Sequence, residues 1–306
     1  MDEYRIERFS IDKIDDFLWL FEESFNTLPI KSRFLKKFDT EYVGISHIAF
    51  IAYDLNNLPA AFYGIFPCVY NLNGKKCLGA QSGDTMTHPN HRKKGLFYEL
   101  AKRTYNQAKD LGVNYIYGVP NGNSYHGFKK MGWSTPYTIT EFEKKLNPTI
   151  ISKISKRLAP NWFKERVNEN WLKKSIKGPI KCSREGGFHV LRNHDYYNYK
   201  KYNKNDVLGF KSGQAWMSYK YFDLVLGDFK LYDGANAMAL IREIEAFGKK
   251  IGCSKIICYE ISDLMSGKTL SSEGYNEVNK CHVITLNQGL DIKNPLSISA
   301  TDFDTF

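Results

Sequence analysis

No C-x-x-C pair occurs in this sequence, and its six cysteines, Cys68, Cys77, Cys182, Cys253, Cys258 and Cys281, are scattered. That spacing excludes a disulfide framework and a cysteine zinc site, and predicts buried thiols in a reducing compartment. The seven histidines form no metal-ligand pattern either, so no metal is expected. No uninterrupted apolar run reaches the length of a membrane span. The opening MDEYRIERFS carries acids and lacks an apolar signal core, which predicts a cytoplasmic protein without a secretory leader.

What is present is an excess of base and abundant aromatic side chains. The 306 residues carry a formal net charge of +10, with 42% hydrophobic and 15% aromatic residues. That length predicts two domains, and the apolar content is ample for packed cores. The charge suits an anionic partner, but no interleaved basic and aromatic motif marks a nucleic-acid surface, and none is expected.

The most informative stretch is Thr87 to Phe97, THPNHRKKGLF. The preceding Gly83 to Thr87 reads as extended, and Pro89 ends it. Leu96, Phe97, Leu100, Ala101, Ala108 and Leu111 then follow at helical spacing. Arg92 to Phe97 would therefore open a helix, where free backbone N–H groups favour a polyanion. Gly95 lets the backbone approach such a group, and Arg92, Lys93 and Lys94 add charge. A second stretch, Ser124 to Trp133, follows a predicted buried strand over 113–119 and a break at Pro120-Asn121-Gly122-Asn123.

These two motifs resemble those of the GNAT superfamily of N-acetyltransferases. Thr87-His88-Pro89 and Arg92-Lys93-Lys94-Gly95-Leu96-Phe97 match the signature of a strand end followed by a phosphate loop, with Phe97 in place of a small residue. Asn121, Ser124, Lys130, Gly132 and Trp133 fall in register with a second family segment. The resemblance covers residues 1–146, with its motifs between 80 and 133. It implies acetyl-CoA as co-substrate, held by Arg92, Lys93, Lys94, Gly95, Leu96 and Phe97. It further implies backbone contacts to the pantetheine arm from Thr85, Met86 and Thr87, with Asn121, Ser124 and Phe128 nearby. The family's usual tyrosine acid is Phe128 here, which has no proton to give. Tyr125 and His126 are the nearby substitutes, and ordinary surface or packing roles for both stay open.

Transfer to an amine needs a proton acceptor. Strand alternation puts Asp84, Met86 and His88 on one face, making Asp84 the first candidate and His88 the second. The alternative for Asp84 is a turn after Gly83.

The expected fold class is α/β with a mixed sheet. It comprises two GNAT-like domains, each a mostly antiparallel sheet with splayed central strands and helices on both faces. The boundaries read as a cofactor domain over 1–147, a basic helical linker over 148–180, a degenerate second copy over 181–290 and a tail over 291–306. In the linker, Ile150, Ile154 and Leu158 form one stripe and Phe163, Val167 and Trp171 another; a helical hairpin is one reading and a membrane-surface helix the other.

The second copy is read from Lys109 to Val113 and Lys249 to Cys253, each followed by a β-rich run, Tyr115 to Val119 and Ile256 to Ile261. Where the first copy has Lys93-Lys94-Gly95, the second has Asp233-Gly234-Ala235, whose carboxylate would repel a polyphosphate. The expected function is acetyl transfer to a small-molecule amine, such as an amino sugar or nucleotide-linked amino sugar, by a monomer or homodimer. A peptidoglycan-type aminoacyltransferase and a non-catalytic acyl-CoA sensor are the alternatives.

Overall fold

The computed structural model describes residues 3–176, 178–180, 187–220, 222–260 and 266–306. Cys182 and Ile261 lie outside them. In chain order the first elements are β1 (Arg5–Arg8), α1 (Ile14–Phe25), α2 (Lys31–Phe38), β2 (Ile48–Tyr53), β3 (Pro59–Leu72) and β4 (Lys75–Thr87). There follow α3 (Leu96–Asp110), β5 (Tyr115–Gly118), α4 (Gly122–Lys130), β6 (Ser134–Lys145), α5 (Ile150–Leu158) and α6 (Pro160–Lys174). The remainder is β7 (Ser175–Ile176), β8 (Phe188–Val190), α7 (His194–Tyr199), β9 (Asn205–Gly209), β10 (Gly213–Lys220), β11 (Asp223–Leu231), α8 (Ala237–Lys250), β12 (Lys255–Tyr259), α9 (Gly267–Ser272) and β13 (Asn276–Asn287).

Contacts divide the chain into two compact units, and neither is contiguous. The first is Met1–Tyr137, Gly186–Leu191 and His282–Ser297; the second is Thr138–Glu185, Arg192–Cys281 and Ile298–Phe306. Contiguous boundaries were expected from the sequence. The difference arises because strand pairing ignores sequence distance, so a C-terminal segment completes the first sheet and residues 138–145 start the second.

In the first unit the strands follow the order β1, β2, β3, β4, β5 and the 282–287 end of β13. Every pair is antiparallel except β4 with β5. The second unit repeats the scheme: residues 138–145 of β6, then β12, β11, β10, β9 and β7. Again one pair, β11 with β12, is parallel.

Period-two alternation assigns the faces of the first sheet. Phe62, Phe66, Ala49 and Ile51 pack with Phe17, Leu20, Phe34 and Phe38 of α1 and α2. Tyr63, Ile65, Ile48 and Ala80 pack instead with Leu96, Leu100 and Ala108 of α3 and Phe128 of α4. Helices thus cover both faces, as expected. Phe17 is fully buried and meets Phe34, Phe38 and Phe62 edge-on at 4.8 to 5.0 Å. Burying each such ring contributes about 1.5–3 kcal/mol.

His47 is buried on this side and its Nδ1 lies 2.8 Å from the Phe38 carbonyl oxygen. Burial holds its pKa below the usual 6.5. The unfolded chain therefore takes up a proton first as pH falls, so this contribution to stability is present above about pH 6.5 and is lost on acidification through the folded pKa. Melting followed by circular dichroism should show a smaller fall in Tm between pH 7 and pH 5 for His47→Gln than for the wild type. Equal slopes would remove His47 from the account.

In the second unit, Phe163, Val167 and Trp171 of α6 are buried in the core with Leu224, Ile241 and Phe247. The α5 stripe behaves differently: Ile150, Ile154 and Leu158 are exposed. Cys68, Cys77, Cys253, Cys258 and Cys281 are free thiols. Among the described residues no helix is long and apolar enough to cross a membrane, and no cluster has the composition of a metal site.

Candidate active site

The site starts where β4 and β5 part. The two strands pair only at Ala80 with Ile116 and Gln81 with Tyr117. Beyond Gln81, β4 continues to Thr87 along β3 alone, so its outer edge faces an opening fork. Parallel neighbours that separate in this way leave backbone donors and acceptors available to an extended ligand. Thr85 and Thr87 are half-buried on this stretch, and the Met86 side chain is packed under α1 and α2.

A bulge interrupts β4 at the fork. Its register against β3 shifts between Phe62 and Gly64, and Asp84 adopts a left-handed φ of 53°. A bulge re-aims the side chain it carries. Asp84 turns to α2, where its Oδ2 lies 2.7 Å from Nζ of Lys37. Lys37 is 1% exposed and also lies over the Phe66 ring. The Asp84 side chain remains 10% exposed. Asp84 therefore combines a place at the fork with an ion pair to α2. Lys37 escaped the sequence reading because a lysine on a basic helix carries no signal of burial.

His88 closes the strand. Its ring stacks on Trp19 of α1 at 5.6 Å with an interplanar angle of 4°, and Nε2 lies 3.7 Å from Glu23 Oε2. Nδ1 accepts the Asn90 backbone N–H at 3.3 Å. That acceptor role puts the ring proton on Nε2, which leaves His88 a wall residue before a base. Asp84, Met86 and His88 do share the α1 and α2 side.

The loop into α3 is the stretch expected from the sequence to cradle an anion. Lys93 and Gly95 have φ of 64° and 79°, and Gly95 caps α3 with no side-chain hydrogen bond. Successive N–H groups in this conformation make a concave donor nest at the positive end of a 15-residue helix. Arg92, Lys93 and Lys94 are exposed around it. Arg92 Nε donates to the Thr87 carbonyl at 3.3 Å, and Lys94 Nζ lies 5.8 Å from the Tyr4 ring centre. Leu96 faces the core. This donor set fits a pyrophosphate, and the open β4 edge beside it fits a pantetheine arm. The large Phe97 is accommodated by Gly127 of α4: a Cβ there would come within 2.6 Å of the Phe97 ring.

On α4, Asn121 is the cap; its Oδ1 accepts from the N–H groups of Asn123 and Ser124 at 3.1 and 3.0 Å. Ser124 Oγ stays local, 3.1 Å from Asn121 Oδ1. The Tyr125 hydroxyl is 3.1 Å from Thr135 Oγ1, and its ring stacks on His282. Phe128 is buried against Phe97, Tyr63 and Trp133.

The corresponding place in the second unit differs. Gly234 again has a left-handed φ of 76°, but Asn236 caps α8 by accepting the Ala239 N–H at 2.8 Å, and Asp233 stands exposed beside it. One donor is thus already satisfied, and the local charge is negative. Arg192, Tyr196 and Asp302 form a buried hydrogen-bonded cluster.

Comparison with known proteins agrees with this geometry. The family model of the GNAT acetyltransferase domain matches residues 5–135. No curated protein sequence matches the chain significantly. Among solved structures, a Pyrococcus horikoshii protein described as an acetyltransferase superposes with a TM-score of 0.59 at 18% identity, covering 98% of this chain and 94% of that one. A GCN5-related N-acetyltransferase from Kribbella flavida gives 0.58 at 12% identity over 93% of this chain and 72% of its own. Saccharomyces cerevisiae N-myristoyltransferase with bound myristoyl-CoA gives 0.58 at 10% identity over 98% and 84%. At these identities the likeness is one of fold. From β1 to α4, then, the chain matches the model of the GNAT acetyltransferase domain, and its fold is like that of the solved structures just named.

Proposed function

We propose that the chain transfers an acetyl group from acetyl-CoA to the primary amine of a small molecule, in a single site on the first unit. The observation that carries the reading is the uncapped, basic nest at Lys93 to Gly95 lying in line with the open edge of β4. Arg92, Lys93 and Lys94 hold the phosphates, and backbone groups of Thr85, Met86 and Thr87 hold the arm. Bound there, acetyl-CoA supplies an activated acyl carbon. Backbone N–H groups at the fork polarise its carbonyl oxygen, and Asp84 takes the proton of the attacking amine, directly or through water. The second unit, with its capped helix and Asp233, is a degenerate copy without a cofactor. The acceptor is an amino sugar or a nucleotide-linked amino sugar, and the +10 charge suits the anionic nucleotide of the latter.

Turnover tests the reading. Free thiol should appear when acetyl-CoA is supplied with a panel of amino sugars, aminoglycosides, polyamines and peptides. Binding without thiol release across the panel would favour a sensor. Arg92→Ala with Lys94→Ala should weaken acetyl-CoA binding at least tenfold by calorimetry, because two charge-assisted contacts of about 1.5–3 kcal/mol each are removed from exposed positions. The melting temperature should stay put. Unchanged affinity would remove the cradle assignment.

A further inference from the structure

A chain of hydroxyl groups runs through the core beneath the fork, and its direction is set by chemistry. Trp133 Nε1 lies 3.1 Å from the Tyr105 hydroxyl, which lies 3.1 Å from the Tyr63 hydroxyl, which lies 2.9 Å from Ser82 Oγ. An indole N–H only donates. Tyr105 therefore accepts from Trp133. Its own hydrogen has the Tyr63 oxygen as acceptor, since a buried hydroxyl left unsatisfied is costly. Tyr63 in turn donates to Ser82. Burial pushes both phenols well above the ordinary tyrosine pKa, so both keep their hydrogens. At the end of the relay, the Ser82 oxygen accepts and its own hydrogen is left to donate outward.

The place where that hydrogen emerges is the vertex of the fork. Ser82 is the first β4 residue past the last β4–β5 pair, Gln81 with Tyr117. Gly118, the final residue of β5, lies beside it; a Cβ on Gly118 would sit 3.4 Å from the Ser82 Cβ and 3.6 Å from the Ile284 side chain, so the absent side chain leaves the nearest space to a serine that is itself 8% exposed. Ser82 also lies two residues before Asp84, on the sheet face covered by α3 and α4. Phe128, at the position where the family places a tyrosine acid, packs directly against Tyr63.

We propose that Ser82 is a catalytic residue, a hydrogen-bond donor to the sulfur of the departing thiolate, oriented by the Tyr63–Tyr105–Trp133 relay and standing in for the hydroxyl that Phe128 lacks. The inference rests on the acetyl-CoA reading above. In the step, the amine nitrogen forms the C–N bond at the thioester carbonyl carbon and its proton goes to Asp84. The C–S bond breaks with its electron pair on sulfur. Ser82 keeps its proton, because an aliphatic hydroxyl is a far weaker acid than a thiol of pKa about 8.5; the thiolate takes a proton from solvent on release, and Asp84 returns its proton to solvent, so the two balance. The contribution is stabilisation of developing charge by a preoriented donor.

The test is the thiol titration of bound CoA, followed by thiolate absorbance in the ultraviolet. In the wild type the bound thiol should titrate at lower pH than in Ser82→Ala by about one unit, the scale of a hydrogen bond to a charged group. Ser82→Thr, which keeps the hydroxyl, should stay near the wild type. Tyr63→Phe should show part of the shift, since the serine is then free to turn its hydrogen away. The kcat of Ser82→Ala should fall about tenfold or more, with acetyl-CoA affinity nearly unchanged. If CoA binds to all variants and the thiol titrates alike in Ser82→Ala and the wild type, the relay is overturned and the acetyl-CoA reading stands. If the wild type binds no CoA, both fall.

Discussion

Asp84→Asn is expected to lower kcat/KM by about a hundredfold or more, the usual scale for a positioned base, with acetyl-CoA affinity close to that of the wild type. The loss should shrink as pH rises. An amine of pKa near that of lysine, about 10.4, is increasingly neutral toward about pH 9.5, so removal of its proton limits the rate less. A variant equally impaired across that range would assign Asp84 to the bulge alone. The Lys37 contact complicates the fold, because the substitution leaves a buried ammonium without its carboxylate. Lys37→Met combined with Asp84→Asn separates the effects: stability should recover relative to Asp84→Asn, and activity should not. Recovery of activity in the double variant would overturn the assignment of Asp84 as base.

The second large effect lies in the other unit and is one of stability. The Arg192 guanidinium is buried between two carboxylates. It donates to Asp302 Oδ1 from Nε at 3.0 Å and to Asp302 Oδ2 from Nη2 at 2.5 Å, and Nη1 pairs with Asp228. Nη2 also reaches Ser299 Oγ at 2.8 Å, and the Tyr196 hydroxyl donates to Asp302 Oδ1. Asp302 is fully buried. Removing the cation takes the balancing charge from both acids, so Arg192→Ala should cost about 3–5 kcal/mol in chemical unfolding. Arg192→Lys should cost less than alanine but not restore the wild type, because an ammonium cannot reproduce the planar fork. A loss below about 1 kcal/mol, as for an exposed pair, would contradict the cluster's structural role.

The sequence made the cradle legible because both of its requirements are local. Gly95 must take a left-handed turn, and the helix that follows announces itself by apolar spacing from Leu96. The end of β4 was equally plain, since Gly83 to Thr87 reads as extended up to Pro89. What could not be read depends on residues far apart in the chain. The Asp84 bulge is a mismatch with β3, and Lys37 meets Asp84 across 47 positions. Phe97 looked like a flaw in the motif because its compensation, Gly127, lies on another helix. The hydroxyl relay draws Ser82, Tyr63, Tyr105 and Trp133 from four elements with no shared spacing. The units are interrupted in sequence for the same reason: residues 284–287 pair with β5 although more than 160 positions separate them.

The central claim is that one site, on the first unit, binds acetyl-CoA. Isothermal titration of the whole chain with acetyl-CoA measures it directly: the account predicts one molecule per chain, with affinity lost in Arg92→Ala/Lys94→Ala and unaffected by Asp233→Ala. Two molecules per chain, or binding abolished by the Asp233 change and retained without Arg92 and Lys94, would contradict it.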